Sequence, residues 1–87
     1  MTRLQREARD AYAWSNEAGY RYGAHGHAYT KVLYCAAGSI DFVVAPEGRV
    51  IALHAGDRME LPAGTIHSAQ VGGDGVTCVE GKKREAR

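Results

Sequence analysis

Residues 56–67 read GDRMELPAGTIH, and this stretch decides the fold. Five residues separate Gly56 from Pro62, which opens a Pro-x-Gly turn, and two residues separate Gly64 from His67. Proline fixes φ and glycine permits a sharp bend, so the chain reverses sharply here. The pattern therefore predicts a turn that delivers His67 at the start of the next strand, facing a neighbouring strand.

A second histidine element, His25-Gly26-His27, lies earlier in the chain, with five residues between Gly19 and His25. Residues two apart on an extended chain point to the same face, so both imidazoles can reach one point. If His67 faces them, three neutral imidazoles converge. That ligand set suits Zn, Fe, Ni, Cu or Mn and leaves coordination positions open. We therefore predict a divalent metal site formed by His25, His27 and His67.

Glycines divide the rest of the chain into short apolar pieces. These pieces predict strands at 31–37, 40–45, 49–54, 65–71 and 76–80. Turn-forming residues predict reversals at 45–48 and 55–57 and a hairpin tip at 72–75. Short strands with turns at this spacing are typical of an all-β sandwich or barrel.

The two histidine elements, in this order and at these spacings, resemble the two motifs of the cupin superfamily. The similarity runs from Gly19 to Val71. It implies a single cupin β-barrel of the jelly-roll, double-stranded β-helix type, with the metal where the motif strands meet. We expect an N-terminal extension over 1–18 (a strand or short helix), the barrel over 19–81 and a basic C-terminal tail over 82–87.

The sequence departs from the family pattern at two positions. Lys31 stands where the family has a metal-binding Glu, and Val71 stands in place of an Asn. A lysine charge ~5 Å from a divalent ion costs roughly 2–7 kcal/mol. Lys31 therefore has three ways to coexist with a metal. It can pair with an acid such as Glu60 or Asp41, lose its proton, or bind an anionic ligand that bridges it and the metal. A pocket without metal is the fourth alternative.

Two residues are candidates for handling protons in a reaction. Tyr29 and Lys31 share the parity of His25 and His27, so either can face the pocket. For Tyr29 the alternative is a packed barrel aromatic. His54 is expected in solvent. Three further aromatic residues are expected to cover a sheet or form a subunit contact: Trp14, Tyr20 and Tyr22.

Size and composition narrow the remaining possibilities. With 87 residues the chain is one domain, and its net charge of +1 gives no reason to expect nucleic acid or membrane as partner. A charged N-terminus and short apolar runs predict no signal peptide and no membrane span, hence a cytoplasmic location. Cys35 and Cys78 are expected to be reduced core residues. The small size favours a homodimer.

Three functions are compatible with these features. The first is a metal-binding cupin that recognises a small polar or anionic molecule. The second is a metal-dependent enzyme of the dioxygenase or isomerase type, which the resemblance allows. The third is a metal-free structural or regulatory module. Fold analogy cannot choose among them, because one fold hosts many functions.

Overall fold

Six strands and one short helix make up the structure, a computed structural model that describes residues 2–84. In chain order the elements are α1 (Thr2–Glu7), β1 (Ala8–Asn16), β2 (Arg21–His25), β3 (Lys31–Val44), β4 (Arg49–His54), β5 (Arg58–Leu61) and β6 (His67–Lys83).

Two long strands, β3 and β6, form the centre of the sheet and pair antiparallel from Lys31–Lys82 to Val44–His67. Strands β1 and β2 follow one another along the outer side of β6. Strands β5 and β4 lie in the same way along the outer side of β3. The sheet is therefore four strands wide and antiparallel. Each of its two outer positions is occupied by two successive strands with a break between them.

Glycines let β3 and β6 continue where the sequence predicted breaks. The register between the two strands shifts around Gly38, which has φ of 73°. A side chain at Gly38 would collide with the carbonyl oxygen of Gly75, and one at Gly72 would collide with Ser39. The predicted hairpin tip at 72–75 is wrong, because these glycines serve a close approach of two backbones and not a reversal.

The sheet folds over at this glycine-rich region into two layers whose inner faces pack together. One layer holds β1, β5 and the adjoining halves of β3 and β6; the other holds β2, β4 and the remaining halves. The shared core comprises Leu33, Cys35, Ile40, Phe42, Leu53, Met59, Leu61, Ala69, Val71, Val76 and Cys78. The predicted all-β architecture is confirmed, but within residues 2–84 the hydrogen-bonded sheet stays open and does not close into a barrel.

The predicted reversal at 55–57 is also wrong. Strands β4 and β5 pair with residues 39–44 and 31–34 of the same strand, β3, so they run in one direction. The segment between them forms a turn beside Cys35. The Cys35 N–H donates to the carbonyl oxygen of Asp57, and the Cys35 carbonyl oxygen accepts the N–H of Gly56. The Asp57 carboxylate accepts a hydrogen bond from the backbone N–H of His54, at 2.9 Å, and so stabilises the turn.

Residues 2–16 supply both a helix and a strand. Leu4 and Ala8 pack on Val32, on the outer face of the layer that contains β1 and β5. Glu7, at the end of the helix, forms an ion pair with Arg58. Because β1 pairs along β6, this expected extension belongs to the main sheet. The expected basic tail begins as the end of β6; Glu85 to Arg87 lie outside the described residues. The helix found within residues 2–84 is too short to cross a membrane.

Cys35 and Cys78 face each other across β3 and β6, both buried and both reduced, as expected. Burial raises the pKa of Cys35 and raises that of Cys78 to about 12. Since the thiolate is the reactive form, we predict very slow labelling by a disulfide reagent at about pH 8. Unfolding in denaturant should release two reactive thiols per chain. Rapid labelling of the native protein would contradict this packing.

Candidate metal centre

Three histidines from two neighbouring strands and one loop converge on one point. His25 ends β2 directly opposite His67, the first residue of β6. His27 follows in the loop, where its carbonyl oxygen accepts the N–H of Gly64 at 2.8 Å. The Pro-x-Gly turn thus fixes the loop that carries the first pair. One ring nitrogen from each histidine lies within 4.8 Å of the others, a spacing that suits a shared metal ion.

Backbone hydrogen bonds set which nitrogen of two rings carries the proton. Nδ1 of His25 lies 2.8 Å from the carbonyl oxygen of Gly23, and Nδ1 of His67 lies 3.1 Å from that of Thr65. A carbonyl oxygen only accepts, so each Nδ1 must donate and each Nε2 keeps its lone pair. Such second contacts also orient metal-binding histidines.

Two buried nitrogens at this point have no hydrogen-bond partner among the described residues: Nε2 of His67 and Nδ1 of His27. Buried polar atoms are normally satisfied, so each such atom requires an explanation. A cation bound by the lone pairs would satisfy both. The donor set therefore fits a divalent metal.

The surroundings also keep these rings neutral, which is the form that binds metal. Burial lowers the pKa of His67, and the charges of His25 and Lys31 lower it further, against the backbone bond to Thr65. Burial likewise lowers the pKa of His27, followed by the charge of Lys31. Both groups therefore need no costly deprotonation before a metal binds.

A buried ion pair lies on the layer that faces the three histidines. Lys31 Nζ stands 3.3 Å from Glu80 Oε2, with side chains 9% and 4% exposed. Glu80 is thus the acid that balances Lys31, rather than Glu60 or Asp41, the acids suggested by the sequence. Glu60 instead pairs with Arg58 and Lys83 on the surface.

Two aromatic residues of β1 complete the environment of Glu80. Trp14 Nε1 donates to Oε1 at 2.7 Å, and the Tyr12 hydroxyl donates to Oε2 at 2.9 Å. Burial and this bond to Glu80 raise the pKa of Tyr12 to about 12, so the phenol keeps its proton and remains a donor. We call Lys31, Glu80, Tyr12 and Trp14 the Glu80 network.

Glu80 belongs to no sequence motif and was therefore not predicted as a site residue. A signal was nevertheless present in the alternation of residues 76–80. Val76, Cys78 and Glu80 share one face of β6, and that face is buried. A lone acid in line with apolar inward residues needs a buried partner.

The histidines and the Glu80 network face each other across one pocket of about 210 Å³. The pocket is lined by Tyr12, Trp14, Tyr22, His25, His27, Lys31, Phe42, His67, Ala69 and Glu80. Trp14 and Tyr22, which were expected from the sequence to cover a sheet or form a subunit contact, thus line this pocket between the two layers.

The other sequence candidates lie outside this pocket lining. Tyr29 packs its ring against His27, with centroids 5.2 Å apart, and lies under the Lys82 ammonium at 5.0 Å. This is the packed aromatic that the sequence analysis held as the alternative. Tyr20 packs on the ring of Tyr22, at 4.9 Å. His54 is exposed, as expected.

Known structures share this fold at low sequence identity. An RmlC-like cupin from Shewanella frigidimarina matches with a TM-score of 0.70 and 24% identity, over 80% of this chain and 60% of that chain. The DMSP lyase DddQ from Ruegeria pomeroyi matches with 0.76 and 21%, over 88% and 39%. KdgF from a Halomonas species matches with 0.70 and 22%, over 86% and 69%. No protein-family model and no curated protein sequence matches.

The chain therefore has the fold of these cupin structures, as the resemblance of the two histidine motifs predicted. The chain spans 60% of the length of the Shewanella cupin and 39% of that of DddQ. Its three-histidine cluster lies where the two motif-bearing strands meet.

The Lys31–Glu80 pair generates a prediction about stability. Lys31→Met alone leaves a buried carboxylate without its counter-charge and should lower the free energy of unfolding by about 3–5 kcal/mol. The double variant Lys31→Met/Glu80→Gln removes both charges and should cost about 1 kcal/mol. Denaturant unfolding of the metal-free variants measures both. Additive losses would show that the two side chains do not interact.

Proposed function

We propose that this chain is a metal-binding cupin whose His25, His27 and His67 hold a divalent ion that binds a small polar or anionic molecule. One observation carries the proposal. The three imidazoles converge within 4.8 Å, and two of their buried nitrogens have no other partner in the described residues. When bound, the ion supplies a Lewis acid with coordination positions open to the pocket.

The choice of metal stays open among Zn, Fe, Ni, Cu and Mn. All of these accept imidazole ligands, and affinity order and availability decide occupancy more than ligand type does. The absence of a carboxylate from the three-histidine set leaves the full charge of the ion uncompensated. An anionic ligand would supply that compensation.

Lys31 is compatible with a metal because Glu80 neutralises it. Both side chains of the pair are buried, and at such a buried position an isolated ammonium beside a divalent ion would be costly. The pair also supports the proposed ligand class. The Lys31 ammonium has three N–H donors. Among the described residues it pairs with the Glu80 carboxylate alone, so N–H donors remain for a ligand oxygen.

A metal-dependent enzyme remains the second candidate. DddQ, similar in fold, is a DMSP lyase. Of the two proton-handling candidates, only Lys31 lines the pocket, and its ammonium is held in an ion pair. Tyr29 is packed beside His27. Ligand binding is therefore the function that the geometry supports best. Assembly as a homodimer stays a prediction.

Metal content tests the proposal directly. We expect about one divalent ion per chain in wild type and none in His25→Ala/His67→Ala, because one remaining imidazole cannot hold the ion. His54→Ala is the matched control, since His54 is an exposed histidine outside the pocket. It should keep the metal. Elemental analysis after dialysis measures all three proteins.

A wild-type protein that is isolated without metal, and that takes up none of the five candidate ions, would refute the proposal. Retention of metal by the double variant would show that the ion binds elsewhere. Circular dichroism of each variant separates loss of the site from loss of the fold.

A further inference from the structure

We propose that Glu80 sets the charge of the ligand, so that the pocket selects a small monocarboxylate with a hydroxyl group at its other end and rejects a dicarboxylate. This inference rests on the proposed function, since the shared carboxylate would bind the metal. It assigns a role to a residue that lies outside both histidine motifs.

The two layers give the pocket two chemically different walls. The histidines of one wall bind the metal, and the Glu80 network forms the other. The pocket measures about 210 Å³, less than the ~300–1,000 Å³ typical of drug-sized ligands. A ligand that fills it therefore touches both walls, with one end at the metal and the other at Glu80.

The charges decide which end goes where. Three neutral imidazoles and the compensated Lys31–Glu80 pair leave the metal as the net positive charge of the pocket. Lys31 lines the same pocket as His27 and His67, and its Nζ lies 3.3 Å from Glu80 Oε2. A ligand carboxylate is favoured there, in reach of the metal and of the Lys31 N–H groups.

Hydrogen-bonding capacity decides what the other end must be. A carboxylate offers about four acceptor sites. Glu80 uses two of them for the hydrogen bonds from Trp14 and Tyr12, and the Lys31 ammonium stands 3.3 Å from Oε2 as an ion pair. Acceptor capacity therefore remains for a donor such as a ligand hydroxyl. A second carboxylate there offers no donor and meets a like charge in a partly desolvated space.

Glu80 cannot turn away from such a ligand. Its side chain is 4% exposed, and donors hold both oxygens: Trp14 on Oε1 and Tyr12 on Oε2. A fixed charge discriminates more strongly than one on a mobile side chain, because repulsion cannot be relieved by a change of rotamer.

Calorimetric titration of the zinc-loaded protein with two three-carbon acids tests the inference. Malonate and 3-hydroxypropionate share one carboxylate and differ in the other end. We expect wild type to bind 3-hydroxypropionate at least about tenfold more tightly. Glu80→Gln should reduce this preference to about twofold or reverse it. Glu60→Gln, the matched control on the surface, should keep it.

Lys31→Met/Glu80→Gln guards against misfolding of the single variant, because it leaves no buried charge unpaired. It should lose the preference as Glu80→Gln does, since both acids share the carboxylate that meets Lys31. Equal or tighter binding of malonate by wild type would overturn the inference. So would full preference in either Glu80 variant, or no binding of 3-hydroxypropionate to zinc-loaded wild type.

Zinc content, measured before and after each titration, separates the two proposals. Zinc-loaded wild type without the preference refutes the role of Glu80 and leaves the metal site intact. Wild type that fails to hold zinc, iron, nickel, copper or manganese refutes the metal site itself, and the ligand selection with it.

Discussion

The close approach of the β3 and β6 backbones at Gly38 and Gly75 is the constraint on which the site depends. Only glycine leaves room there, and the two long strands bend without ending. The bend folds one sheet into two layers. It places the histidines, which lie at one end of β6 and beside it, opposite Glu80 near the other end. Without it, a single strand would carry both chemical groups far apart.

Charge balance is the second organising feature. Lys31 stands where the resemblance to cupins implies a metal-binding Glu, so it adds positive charge where a cation is expected. Glu80, from a different strand, restores neutrality, and Trp14 and Tyr12 fix it in position. The pair contributes little net stability, because desolvation offsets most of its attraction. Its effect is to give one wall of the pocket both a donor and an acceptor.

Local spacing made the histidine cluster predictable. His25 and His27 are two residues apart, so on an extended chain they point to the same face. Pro62 and Gly64 are typical turn residues and predict the turn before His67. The turn-forming residues at 72–75 and at 55–57 also predicted reversals, but the chain does not reverse at either place. A glycine is equally compatible with a turn, a bulge and a close contact between two backbones. Which of these occurs depends on the neighbouring strand, which the local sequence does not show. Glu80, Trp14 and Tyr22 gave no motif, so their place in the pocket was not predicted.

The sequence by itself determined the all-β class, the cupin resemblance and the three histidines, because each rests on short-range periodicity and turn chemistry. Only the tertiary structure decided that Lys31 pairs with Glu80, that β1 brings Tyr12 and Trp14 to the pocket, and that the sheet remains open. Those features join residues that are between 49 and 68 positions apart. Their contact depends on strand register and on the fold of the sheet, which no local pattern encodes.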